Sequence, residues 1–189
     1  MINFDLKGNN IKQAIFIITG KTGSGKTTFL KKLISGLQEY NLSISGFLAV
    51  KTSIKKSGRD YNLSFIGTGE SIPLLSTEHV QGWNKTGNFY FNPEALKRGN
   101  GMLSDSQILN KDLVVIDEIG IFELEGKIWA DAVSHLASKS KKMMIWVVRD
   151  TLIERVIEKW SVQKPVIIDI QKVSIRQAEE KILSMFEIH

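Results

Sequence analysis

The sequence predicts an α/β protein: a mainly parallel central sheet, helices on both of its faces, and a β-hairpin inserted after the first strand–helix–strand unit. Three observations predict it. Short apolar runs alternate with segments of helical periodicity along most of the 189 residues. The first apolar run ends in a glycine-rich turn that opens a helix. The middle of the chain instead carries several short strands, one of them with clear period-two patterning.

QAIFIIT, residues 13–19, is a short apolar run and reads as a buried strand. Over residues 26–39, Phe29, Leu30, Leu33, Ile34 and Leu37 recur at helical spacing, and SGFLAV follows as the next strand. FLAVKTSI, the turn KKSGRD and YNLSFIG read as the hairpin, with Tyr61, Leu63 and Phe65 alternating with polar residues. SIPLLS and NFYF extend the strand-rich region. A helix opens in NPEALKRG, with Asn92 as N-cap and Pro93 at its first position. Strand and helix then alternate through LVVID, LEGKIWADAVSHLASK, MMIWVV, TLIERVIEKW and PVIIDI. SIRQAEEKILSMFE closes the chain as a helix, with Ser174 and Gln177 in capping-box spacing. No repeat, low-complexity tract or linker divides the sequence, so residues 1–189 are expected to form one domain.

Composition narrows the function classes. Apolar residues make up 42% and charged residues 24%, the balance of a soluble globular protein. No apolar run approaches the ~18 residues of a membrane helix, so no membrane partner is expected. The polar start, MINFDLKGNNIKQ, does not read as a signal peptide, and a cytoplasmic location is the expectation. The absence of cysteine excludes disulfides, thiolate catalysis and cysteine-ligated zinc. No two of His79, His135 and His189 stand at metal-ligand spacing. The charge of +5 suits a phosphate-bearing ligand, and equally a solvated surface. Its basic clusters, KSKK and IKKSGR, lack the interleaved aromatics of a strand-stacking surface, so nucleic acid is not the expected partner.

The chemistry is carried by two stretches. In GKTGSGKTT, Gly20, Gly25, Lys26 and Thr27 satisfy G-x-x-x-x-G-K-S/T, placed between an apolar strand and an amphipathic helix. The loop comprises Gly20, Lys21, Thr22, Gly23, Ser24, Gly25, Lys26, Thr27 and Thr28. Its glycines let the backbone wrap a phosphate, and the helix beyond aims its positive end at the same anion. Lys26 supplies a charge at the β- and γ-phosphates, and the Thr27 hydroxyl a ligand for Mg²⁺.

LVVIDEIGIFELEG ends an apolar strand in two adjacent acids. Asp117 is placed to hold Mg²⁺, and Glu118 to orient and polarise a water for attack on the γ-phosphate. Another strand is expected between this one and the phosphate-loop strand. Glu123 is read as a structural acid at the start of the helix that opens with Leu124. Arg149, after MMIWVV, and Arg59, in the hairpin turn, are the candidate transition-state arginines, with Arg98 a further loop candidate. Without such a charge in the same chain, turnover is expected to be slow.

Taken in order, ITGKTGSGKTTFLKKL, SGFLAVK, SGRDYNLSFIG, GNFYFNPEAL and VVIDEIGIFEL resemble the small P-loop nucleoside-triphosphatase family of thermophile and cancer-related nucleoside-triphosphatases. The similarity runs from Ile15 to about Val148. It implies a RecA-like α/β fold and Mg²⁺-dependent hydrolysis of several nucleoside triphosphates, ATP and GTP among them, with modest base selectivity. Gly25, Lys26, Thr27, Asp117 and Glu118 match the site of that family, and Arg59 matches an arginine of its hairpin. Ile121 and Phe122 stand in place of a Lys-Met pair, RDTLIERV replaces a threonine-rich segment, and only Arg176 loosely answers a late Asn-Arg pair.

The expected function is therefore hydrolysis of nucleoside triphosphates to diphosphate and phosphate, with broad base specificity and slow turnover. Two alternatives share the scaffold: a nucleotide or small-molecule kinase with an acceptor pocket between Ser45 and Phe91, and a nucleotide-gated regulatory module. The sequence leaves the oligomeric state open.

Overall fold

A computed structural model describes residues 13–52 and 59–186. The turn expected at KKSGRD lies largely outside the described residues. Five strands form the parallel part of a nine-stranded sheet: β1 (Ile15–Gly20), β2 (Ile44–Lys51), β7 (Leu113–Ile119), β8 (Met143–Arg149) and β9 (Val166–Asp169). Their order across the sheet is β2-β7-β8-β1-β9. Beyond β2 the sheet continues antiparallel through β3 (Asp60–Phe65), β4 (Ser71–Ser76), β6 (Phe89–Phe91) and β5 (Asn84–Thr86).

The sheet is thus mixed rather than mainly parallel. The cause is connection length. A parallel neighbour needs a crossover of a dozen or more residues, whereas residues 60–91 join their strands by short turns that permit only antiparallel return.

Alternation along the parallel strands builds two cores. Ile15, Ile17, Val114, Ile116, Met144 and Trp146 face one side; Phe16, Ile18, Leu113, Val115, Met143 and Ile145 face the other. The second face is covered by α1 (Lys26–Glu39) and α7 (Ile175–Leu183), which bury Leu30, Leu33, Leu37, Ala178 and Ile182. The first is covered by α2 (Pro93–Met102), α5 (Ala130–Lys139) and α6 (Ile153–Lys159), through Ala95, Val133, Leu136 and Val156. A short α3 (Asp105–Ile108) joins α2 to β7. Full burial on both faces explains why these strands read as continuous apolar runs.

Capping follows the local chemistry. Asn92 accepts from the Glu94 N–H at 3.0 Å to open α2. Ser174 and Gln177 bond reciprocally at α7. One helix differs from the sequence expectation. LEGKIWADAVSHLASK is not continuous: α4 (Ile121–Leu124) ends before Gly126, and α5 starts at Ala130. Gly126 and Ile128 both have positive φ, 78° and 57°, which breaks the helical path between them. Arg98 lies within α2 rather than in a loop. It pairs with Glu70 and stacks over Phe65 at 4.6 Å, so it is engaged away from the acid pair.

All five parallel strands point their C-terminal ends to one edge of the sheet, where ligands of such folds bind. Gly20, Asp117 and Arg149 are the residues they deliver there.

Candidate active site

The loop after β1 turns through Gly23 and Gly25, with φ of 76° and 92°. A side chain at either would be strained in this left-handed region, so the turn needs glycine. Gly25 is also the N-cap of α1 and offers no side-chain acceptor. The first N–H groups of α1 are therefore left for an anion. The hydroxyl of Ser24 is shielded from solvent and has no hydrogen-bond partner among the described residues, which makes it a further donor for a phosphate oxygen. Lys26 is buried, and its Nζ donates to the carbonyls of Gly20 and Lys21 at 2.9 and 3.0 Å. That places its charge across the mouth of the loop.

β8 lies between β1 and β7, so one strand separates the phosphate loop from the acid pair. The Thr27 hydroxyl donates to Asp117 Oδ2 at 2.9 Å and closes the gap above that strand. Asp117 is buried, and its carboxyl is pushed up to about 7 by that burial and by the neighbouring Glu118; the Thr27 hydrogen bond works in the opposite direction. Two hard oxygens bridging loop and strand fit Mg²⁺, which takes one or two protein ligands and completes its shell with phosphate and water. Among the described residues no three His, Cys, Asp or Glu side chains converge as a metal cage.

Glu118 faces a different partner. Arg149 Nε donates to Glu118 Oε1 at 2.7 Å. The contact follows from topology: β8 pairs with β7, and its last residue, Arg149, stands opposite Gly20 of β1. Glu118 Oε2 accepts no hydrogen bond from any described residue. Arg59 is exposed and lines the cleft beside the acid pair; its backbone N–H donates to the Thr77 hydroxyl at 2.9 Å.

Glu123 sits in the first turn of α4 rather than ahead of a helix starting at Leu124. Its Oε2 accepts from the Gly120 N–H at 2.7 Å, which ties the loop after Glu118 to α4. Burial raises its carboxyl from an ordinary 4.5 to about 7, against the lowering effect of the backbone donors of Gly120, Glu123 and Trp129. Since the folded value exceeds the unfolded one, the neutral acid is the form the fold favours. Its contribution is full below about pH 4.5 and is lost as pH rises through about 7. Glu123→Gln is neutral throughout, so its stability relative to wild type should improve by about 3 kcal/mol between pH 4.5 and pH 8. Urea melts of both proteins at the two pH values check this; a constant difference would mean that burial does not raise the Glu123 carboxyl above its unfolded value.

The sequence reading missed the surroundings of Glu118. A cleft of about 780 Å³ runs from Asp117, Glu118 and Arg149 along Phe89, Phe91, Phe122 and Trp129. Phe89, Phe91 and Phe122 meet edge to face, with centroids 5.3–6.4 Å apart. The aromatic spacing in NFYF was the available signal, but it is shared with ordinary core strands.

Comparison with known proteins identifies the family. Residues 15–183 match the NTPase family. The nucleoside-triphosphatase THEP1 of Metallosphaera sedula is 33% identical over 139 residues, 72% of this chain and 72% of its own. The crystal structure of THEP1 from Aquifex aeolicus superposes with a TM-score of 0.66 at 20% identity, over 92% of this chain and 99% of that one. The solution structure of a human cancer-related nucleoside triphosphatase gives 0.65 at 19% identity, over 90% and 96%. With the family matched along nearly the whole described chain, and its phosphate loop and acid pair joined through Thr27 and Asp117, this protein belongs to the NTPase family of nucleoside-triphosphatase enzymes.

Proposed function

We propose that this protein hydrolyses nucleoside triphosphates to diphosphate and phosphate with Mg²⁺, with broad base specificity and slow turnover. The observation that carries the reading is the separation of tasks between the adjacent acids: Asp117 engages Thr27 of the phosphate loop, while Glu118 turns to Arg149. Gly20–Thr28 would cradle the phosphates, with Lys26 at the β- and γ-groups. Thr27 and Asp117 would hold Mg²⁺, which on binding neutralises charge on the transferring phosphoryl group. Glu118 Oε2 accepts a hydrogen bond from the attacking water, orients it in line and takes its proton.

Arg149 is the favoured transition-state arginine over Arg59, because it already sits beside Glu118. Its guanidinium is engaged by that carboxylate, so meeting the γ-phosphate requires the ion pair to open. That competition supports slow turnover. ATP and GTP are both expected substrates, since nothing among the phosphate-loop residues reads a base. The RecA-like assignment belongs to the same reading, supported by β8 lying between β1 and β7. So does the hairpin insertion, supported by the antiparallel pairing of β2 with β3. We take residues 1–189 as one catalytic domain, in keeping with one continuous sheet. Among the described residues no helix is long and apolar enough to cross a membrane; the cytoplasmic setting is part of the same proposal.

The test is release of free phosphate from ATP and GTP by the purified protein, with Mg²⁺ and after its removal by chelation. Phosphate release is expected only with Mg²⁺, at a kcat below ~10 s⁻¹, the enzyme median. Release undiminished by the chelator would remove Thr27 and Asp117 from the metal role. A kcat well above that median would remove the slow-turnover reading.

A further inference from the structure

We propose that the aromatic-walled cleft beside Glu118 is an acceptor site for a nucleoside, whose sugar hydroxyl takes the γ-phosphate in place of water. The inference rests on the phosphoryl chemistry assigned above to the phosphate loop and Glu118.

Size is the first argument. A water claims about 30 Å³ of liquid, and drug-sized ligands occupy pockets of roughly 300–1,000 Å³. The cleft that reaches Glu118 measures about 780 Å³, far more than hydrolysis needs. Position is the second. Asp117, Glu118 and Arg149 line the cleft, yet none of the phosphate-loop residues 20–28 does. It therefore opens onto the reacting centre from a side that the loop does not share, and it is separate from the track of the triphosphate over the loop.

The lining selects the occupant. The half-buried Phe89 and Phe122 offer ring faces and edges for a planar heterocycle, above the buried Phe91 and Trp129. Asn88, also on the cleft, has an amide bonded to no described residue, so it offers both a donor and an acceptor to a base edge. Acids and cations are interspersed: Lys127 Nζ pairs with Glu125 Oε2 at 2.7 Å, and Arg149 with Glu118. Arg59 is answered by the further lining acids Asp117 and Glu123, so the cleft carries no excess of cations and suits a neutral nucleoside better than a polyanion. The free Oε2 of Glu118 is the acceptor for its hydroxyl.

The transfer balances without a further reactant. The hydroxyl oxygen bonds to the γ-phosphorus as the bond to the β,γ-bridging oxygen breaks. The hydroxyl proton passes to Glu118, and the products are a nucleoside monophosphate and a nucleoside diphosphate. Hydrolysis is then the same displacement with water at Glu118.

Two measurements on the full chain test this. In the first, γ-labelled ATP and Mg²⁺ are incubated with the protein, with and without adenosine, guanosine, cytidine or uridine. In the second, the same nucleosides are titrated calorimetrically into protein saturated with Mg²⁺ and a non-hydrolysable ATP analogue, so that the phosphate-loop site is already filled. At least one nucleoside is expected to bind and to acquire the label. Phe89→Leu should weaken that binding about tenfold by removing a ring contact. Asn88→Ala, on an exposed turn, should weaken it as well. Label recovered only as free phosphate, with or without nucleoside binding, overturns the acceptor site and leaves the hydrolase standing. Binding untouched by both substitutions overturns the cleft as its location. Label that stays in ATP under every condition overturns the proposed function and this inference together.

Discussion

Lys26→Ala is expected to lose at least about 10²–10³ in kcat/KM for any nucleoside triphosphate, the usual cost of deleting one charge-stabilising donor. The structure makes the loss severe for two reasons. Lys26 Nζ is held by the carbonyls of Gly20 and Lys21, so its charge is positioned before substrate arrives rather than recruited from solvent. Its burial strengthens every interaction it makes with phosphate oxygens. Neither Thr27 nor Ser24 can replace it, because hydroxyls bring a dipole and not a full charge. Steady-state phosphate release, with binding of a fluorescent triphosphate analogue measured in parallel, reads both consequences. Activity within a few-fold of wild type would mean that residues 20–28 do not hold the triphosphate, and the functional reading would fall with that result.

Glu118→Gln should behave differently: triphosphate affinity retained, hydrolysis reduced about 10²–10⁴-fold, the range of general base catalysis. Glutamine keeps the shape and can still accept the Arg149 Nε–H through its amide oxygen, so the strand end should stay in place. What disappears is the charged oxygen proposed to take a proton from the nucleophile. Lys26→Ala therefore lowers binding and turnover together, whereas Glu118→Gln separates them, and the contrast distinguishes phosphate binding from nucleophile activation. Retained turnover in Glu118→Gln would reduce Glu118 to a partner that parks Arg149. A loss of affinity equal to the loss of rate would place Glu118 in substrate binding instead.

Much of this site was legible in the chain because its signals are local. The glycine spacing in GKTGSGKTT answers to backbone geometry within one turn, and the acids in VVIDEIG follow directly on their strand. Asn92 and Ser174 announced their helices for the same reason: a cap bonds residues two or three positions away. The reading failed where a local pattern was overruled. LEGKIWADAVSHLASK has helical periodicity on both sides of Gly126, yet the chain turns there, so that Glu123 can bond Gly120 and Trp129 can pack on Phe47 at 4.6 Å. The mixed sheet failed similarly, since strand direction depends on the partner and not on the strand's own residues.

The sequence by itself determined the loop, the acid pair, the family resemblance and most of the helices and strands, because each rests on spacing within a single element. Tertiary structure alone decided which arginine meets Glu118, how deeply Asp117 and Glu123 are buried, and that Phe89 and Phe122 wall a cleft reaching Glu118. Periodicity shows which face of an element is apolar, but not what lies against it. Arg149 and Glu118 are 31 residues apart, and only the placement of β8 between β7 and β1 brings guanidinium and carboxylate to 2.7 Å.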